Sequence, residues 1–173
     1  MKYFLIGYMG SGKTSLGKIL ANRLNLPFYD LDAYIEKEEN QAIAEIFKAK
    51  GEIYFRKLEH EMLKNLLSES GSMVVSLGGG TPCYAGNMDL LLENGISVYL
   101  QYPLEVLVDR LWNGRGQRPI IAHLESKALL EDFIRKHLFE RSPYYLQATY
   151  TISLQNETLK EVAQKVEALF QKS

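Results

Sequence analysis

The stretch Gly7-Tyr-Met-Gly-Ser-Gly-Lys13-Thr14 constrains this chain more than any other feature. It matches G-x-x-x-x-G-K-[ST] and stands between an apolar run, residues 2–7, and an amphipathic stretch, residues 13–24, with Ile19, Leu20 and Leu24 on one face. A strand, a glycine-rich turn and a helix in that order aim backbone N–H groups and the positive end of a helix dipole at one point, where phosphate oxygens sit. The residues expected to hold a nucleoside triphosphate are therefore Gly10, Ser11, Gly12, Lys13, Thr14 and Ser15. Lys13 would reach the terminal phosphates and the Thr14 hydroxyl would ligate Mg²⁺. An ordinary glycine-rich turn is the plainer alternative, and the flanking strand and helix argue against it.

The rest of the chain repeats this alternation. Strand runs are read at residues 2–7, 27–30, 72–77, 96–101 and 150–154, and most of them are almost continuously apolar, as strands buried on both faces should be. Helical patterns lie between them at 13–24, 32–69, 88–93, 104–112, 126–147 and 157–171. This alternation predicts a single three-layer α/β/α domain over the 173 residues, with a parallel sheet whose ligands sit at the carboxyl ends of the strands. Residues 113–123 show no periodicity, and their glycines and arginines predict a mobile loop.

Composition narrows the partners. With 46% hydrophobic and 24% charged residues and a formal net charge of −1, the chain carries no global basic field for nucleic acid or an anionic membrane. Any anion must be met locally. The lone Cys83 excludes an intrachain disulfide and a cysteine-rich zinc site, and suits a reducing compartment. No secretory signal is read at the start, and no apolar run reaches the roughly 20 residues of a membrane span. A cytoplasmic monomer acting on small molecules is expected.

A second carboxylate beside the phosphates should come from a strand that closes on an acid. The run at 72–77 offers Ser76 there instead, so Asp30-Leu-Asp32 must supply the acids. Two residues apart at a strand end, both can project to one side, one toward the metal and one toward an acceptor hydroxyl as base or orienter. The alternative for Asp32 is a helix N-cap. Arg56 and Arg141 are the candidate cations for a substrate; taken alone, Arg56 with Glu59 reads equally as a surface ion pair, and Arg141 as a solvated helix residue. Gly78-Gly79-Gly80, directly after an apolar run, bares backbone N–H groups and permits close approach, unless it is a plain tight turn. Two arginines and a bare backbone suit a carboxylate.

These motifs together resemble the shikimate kinase family over essentially the whole chain. The resemblance rests on Gly7 to Thr14, Phe28-Tyr-Asp30-Leu-Asp32 with Ile35-Glu36, Glu45-Ile-Phe47, Gly51-Glu52 with Phe55-Arg56 and Glu59, Ser76 to Gly80, Arg118-Pro119, and Arg141 with Pro143-Tyr144. It implies transfer of the γ-phosphate of ATP to the 3-hydroxyl of shikimate, and a five-stranded parallel sheet in the order 2-3-1-4-5, as in nucleoside monophosphate kinases. It also implies shikimate ligands at Asp32, Arg56, Gly78, Gly79, Gly80 and Arg141, and metal ligands at Thr14 and Asp30 with Ser76 beside them. Arg118 becomes the arginine of a lid at about 113–123, and residues 32–69 the substrate-binding region. Phe47 and Phe55 would flank the substrate ring, and Arg110 would lie over adenine. The catalytic set so implied is Lys13, Asp32 and Arg118. Trp112, Arg115 and the segment Thr81-Pro-Cys83-Tyr84 find no place in the family pattern. Nothing in the sequence reads His60, His123 or His137 as anything but surface histidines. Rival readings are a kinase of another small hydroxy acid such as gluconate, a nucleoside monophosphate kinase, and a nucleotide-binding module without turnover.

Overall fold

A computed structural model describes residues 1–84 and 86–171, with 117 and 119 described by their backbone alone. Five parallel strands form one sheet in the order β2-β3-β1-β4-β5: β1 (Lys2–Ile6), β2 (Phe28–Asp30), β3 (Met73–Ser76), β4 (Gly95–Gln101) and β5 (Tyr150–Ser153). The expected class and strand order are both observed.

Alternate residues of the central strands explain why helices cover both faces. Leu5, Val74, Val98 and Leu100 point to one side, into a core with α1 (Lys13–Leu24), α5 (Leu104–Gly114), α7 (Lys127–Tyr145) and α8 (Leu159–Phe170). Phe4, Ile6, Met73, Val75 and Tyr99 point to the other, against α2 (Leu31–Glu39), α3 (Ile43–Ser68) and α4 (Asn87–Asn94). A strand buried on two faces has no polar position to alternate, and this is why these runs read as continuous apolar blocks.

The helical region expected at 32–69 is two helices. Asn40, in the left-handed region at φ 49°, ends α2, and α3 bends at Gly51, where φ is 82° and ψ 174°. Asparagine tolerates that conformation, and its signal is weaker than that of glycine. The helix expected from residue 157 begins at Leu159, because Thr158 caps it in a reciprocal pair with Glu161. Among the described residues no helix is long and apolar enough to cross a membrane. The carboxyl ends of β1, β2 and β3 bring Gly7, Asp30 and Leu77 to one edge, and there the site is built.

Candidate active site

The turn after β1 takes the conformation its glycines permit. Gly10 and Gly12 lie at φ 80° and 83°, where a side chain is strained, and Gly12 caps α1 so that Lys13 is its first residue. Lys13 is buried, and its Nζ donates to the carbonyls of Gly7 at 2.7 Å and Tyr8 at 3.0 Å and contacts Ser11 Oγ at 3.4 Å. Burial lowers its pKa to about 8 against the opposing pull of Asp32 and Asp30. The ammonium therefore stays largely charged at neutral pH, folded onto the cradle it would serve. Arg110 sits at the mouth: its Nη1 donates to Gly10 O at 3.2 Å, and its guanidinium lies 4.1 Å from the ring centre of Tyr102. A cavity of about 410 Å³ opens over Gly10, Gly12 to Ser15, Asp30, Asp32, Ser76, Arg110 and Arg118.

The two acids divide their work. Asp30 ends β2 in register with Ser76 of β3, and its Oδ2 accepts from Thr14 Oγ1 at 2.6 Å. Its Oδ1 accepts from the backbone N–H of Ala33 at 3.3 Å, so the cap of α2 is Asp30. The alternative of Asp32 as N-cap is thereby removed, because α2 begins at Leu31, two residues earlier than that alternative requires. A hydroxyl and a carboxylate in contact at the phosphate cavity fit the donor set of Mg²⁺, which takes few protein ligands and completes its shell with phosphate oxygens and water. Among the described residues no cluster of three or more His, Cys, Asp or Glu would cage a metal unaided. Asp32 lies in the first turn of α2, and burial, then Asp30 and Glu59, raise its pKa to about 6 against Lys13 and Arg56. A carboxyl placed there is tuned toward proton exchange near neutrality.

Asp32 also lines a second cavity of about 490 Å³, whose other walls include Phe47, Phe55, Arg56, Gly78 to Gly80, Arg118 and Arg141. The Phe47 and Phe55 rings lie 4.5 Å apart between centres. Arg56 Nη1 binds Glu59 Oε2 at 2.7 Å, but this is no surface pair: Glu59 is 1% exposed and its Oε1 accepts from Thr81 Oγ1 at 2.5 Å. Glu59 holds Nη1 of Arg56 and Glu52 Oε1 lies 3.7 Å from its Nε, and the guanidinium aimed by these two acids lines the cavity. Arg141, half-buried, lines the same wall.

The glycine triplet is a matter of close approach. A Cβ at Gly80 would stand 2.3 Å from Arg56 Nη2, one at Gly79 3.1 Å from Arg141 Nη1, and one at Gly78 3.0 Å from Asp32 Oδ1. Each glycine makes room for one of the three candidate substrate residues, which a plain tight turn would not explain.

Residues 113–123 differ from expectation. Helix α5 runs on to Gly114, a 3₁₀ turn follows at Arg115–Gln117, and α6 spans Pro119–Ala122. Ile121, fully buried, anchors the piece, and segments this short carry no readable period. Arg118 opens α6 and lines both cavities. Arg115 stacks 3.7 Å from the Trp112 ring centre and donates to the Trp112 carbonyl at 3.1 Å, which gives both unplaced residues a local purpose.

The sequence reading missed Glu59 as a buried anchor, Thr81 as its partner, and two of the three histidines. His60 Nδ1 lies 2.6 Å from Asn87 Oδ1, and His137 Nδ1 2.9 Å from the Tyr8 hydroxyl. Arg141 and the buried Tyr145 are four apart on α7 and so share a face, a spacing visible in the sequence; its meaning depends on Gly79, whose carbonyl accepts from Tyr145 at 2.5 Å.

With this geometry in place, the comparisons with known proteins agree on one neighbourhood. A family model for shikimate kinase matches residues 9–170. The shikimate kinase of Flavobacterium johnsoniae is 46% identical over 166 residues, which span 95% of this chain and 96% of that protein. A crystal structure of shikimate kinase from Bacteroides thetaiotaomicron superposes with a TM-score of 0.90 at 38% identity, covering 99% of this chain and 98% of that one. Shikimate kinase from Acinetobacter baumannii in complex with shikimate gives a TM-score of 0.87 at 34% identity, covering 99% and 93%.

Proposed function

The chain belongs to the shikimate kinase family, and from that premise we propose that it transfers the γ-phosphate of ATP to the 3-hydroxyl of shikimate, giving shikimate 3-phosphate and ADP. The observation that carries this reading is the placement of Asp32 on the wall shared by the two cavities, with Arg118 reaching into both. One cavity has the chemistry of a triphosphate site. The other has two arginines and bare glycine backbone for a carboxylate, with two aromatic rings against the apolar face of a small ring.

In this reading Arg56, Arg141 and the Gly78 to Gly80 backbone hold the acid. Asp32 orients the acceptor hydroxyl and takes its proton as the new P–O bond forms and the bond between the γ-phosphorus and the bridging oxygen to ADP breaks. Lys13 and Arg118 meet the charge on the transferring group, and phosphoryl transfer consists largely of such positioning and neutralisation. Thr14 and Asp30 would hold Mg²⁺, which supplies charge neutralisation at the phosphates when bound. Arg110 would lie along the adenine, and residues 113–123, carrying Arg118, would act as the lid. The lone Cys83 suits a reducing cytoplasm.

The test is ADP release from MgATP across a panel of acceptors. Shikimate should be turned over with the highest kcat/KM, and gluconate and nucleoside monophosphates hardly at all. A preference for gluconate would reassign the acid, and no release with any acceptor would favour a module without turnover.

A further inference from the structure

Tyr8 occupies a position of the phosphate motif where any residue is allowed, because the cradle works through its backbone. Nevertheless its side chain is large, 1% exposed and turned away from the phosphate cavity, with its hydroxyl 2.9 Å from His137 Nδ1 on α7. Phosphate binding does not ask for this contact. His137, Arg141 and Tyr145 recur at intervals of four along α7 and so share one face. Tyr145, fully buried, donates to the Gly79 carbonyl at 2.5 Å one turn beyond Arg141, as the Tyr8–His137 bond holds α7 one turn before it. The Arg141 guanidinium itself lies 5.6 Å from the centre of the Tyr8 ring.

We propose that Tyr8 with His137, and Tyr145 with Gly79, are positioning pairs that pin α7 on both sides of Arg141. They would fix the carboxylate-binding arginine to the phosphate cradle and the glycine turn. The inference rests on the reading of Arg141 as a carboxylate ligand. Burial holds His137 below the ordinary imidazole range; Arg141 acts in the same sense, against Glu140 and Glu52. Burial also keeps Tyr8 protonated, so the bond joins two uncharged groups. Neither pair brings a charge of its own to the site, and the Tyr145 hydroxyl also hydrogen-bonds the Arg141 side chain directly, so this pair steadies the guanidinium as well as the helix. The distance from the bound carboxylate to the phosphate cradle is then set by the fold through Tyr8, over and above anything the substrate contributes.

Both substrates are varied in steady-state assays of Tyr8→Phe, His137→Phe, the double variant and Tyr145→Phe, with Arg141→Lys as reference and melting temperatures beside them. His137→Phe keeps the ring that packs against Phe133 and leaves the cradle sequence intact, so it carries the test if Tyr8→Phe folds poorly. Each single variant should raise the KM for shikimate about 3- to 10-fold, as the loss of one hydrogen bond predicts, while the KM for ATP moves less than about twofold. The double variant should be no worse than either single, because the two changes remove one bond. An unchanged shikimate KM in both variants while Arg141→Lys raises it, or a parallel rise in both KM values, would overturn the proposal. If Arg141→Lys itself leaves the shikimate KM unchanged, the carboxylate assignment fails first, and this inference with it.

Discussion

The proposed phosphate cradle and the proposed acid pocket meet at Asp32, and they are made in opposite ways. The cradle is one continuous stretch, Gly7 to Thr14, whose work is done by backbone dihedrals and a helix end. The acid pocket draws Asp32 from α2, Arg56 from α3, the glycines after β3, Arg118 from the start of α6 and Arg141 from α7. A backbone site tolerates substitution at most of its side chains. A pocket assembled from distant side chains depends on the groups that aim or admit each of them: Glu59 aims Arg56, and Gly78 and Gly79 leave room for Asp32 and Arg141. Lesions in the cradle should therefore cost turnover, and lesions in the pocket chiefly apparent affinity for the acid, with Asp32, which belongs to both, the sharpest test of the division.

The largest effect is expected there. Asp32→Asn should lower kcat by about 10²- to 10⁴-fold with little change in ATP binding, since the amide keeps size but accepts no proton. Helix stability should hardly change, because Asp30 is the cap. In the wild type, kcat/KM for shikimate should fall about tenfold per pH unit once pH drops below about 6, as Asp32 is protonated. The sign for stability is opposite: a carboxyl raised in the folded state binds its proton more tightly there than in the unfolded chain. Through this group the fold therefore gains stability as pH falls from about 6 toward its ordinary value near 3.8. An acid limb that follows unfolding would contradict the assignment.

Next comes Lys13→Ala, which should cost about 10²-fold or more in kcat by removing a preorganised charge at the phosphates, with the fold intact by circular dichroism. Near-normal turnover in a variant that still binds ATP would break the reading of the cradle.

The division between the two halves also tracks what was legible in the sequence. Gly7 to Thr14 could be read outright because its function follows from local dihedrals and the order strand, turn, helix. The central strands β1, β3 and β4 could be read because burial on both faces writes itself as apolar runs, with edges off by at most one residue where backbone pairing and not hydrophobicity decides. Asp30 and Asp32 were recognised as a pair, yet which of them caps α2 depends on where that helix begins. Arg56 and Glu59 were visible as neighbours on a helix, but not that the pair is buried, since Thr81 comes from a separate element. The Tyr8–His137 bond spans 129 positions of sequence and left no local trace.

Arg56→Lys and Arg141→Lys should each raise the KM for shikimate by about tenfold while sparing that for ATP, because a point charge loses the guanidinium fork. If the ATP parameters move equally, the pocket is not separable from the cradle and the comparison fails. The smallest effect is spectroscopic. Tryptophan-selective emission from Trp112 should shift on adding ATP, and again with shikimate, if residues 113–123 close over both ligands and disturb the Arg115 stack. A flat titration under proven binding would remove the lid while leaving the two cavities intact.

The measurement that bears most directly on the whole account is a crystal structure of the chain with MgADP and shikimate bound together. The account predicts ADP phosphates in the cradle at Lys13 and Thr14, the shikimate carboxylate on Arg56 and Arg141, and the 3-hydroxyl within hydrogen-bonding distance of Asp32, roughly 2.6–3.2 Å. Shikimate bound with its carboxylate away from both arginines, or with its 3-hydroxyl out of reach of Asp32, would contradict it.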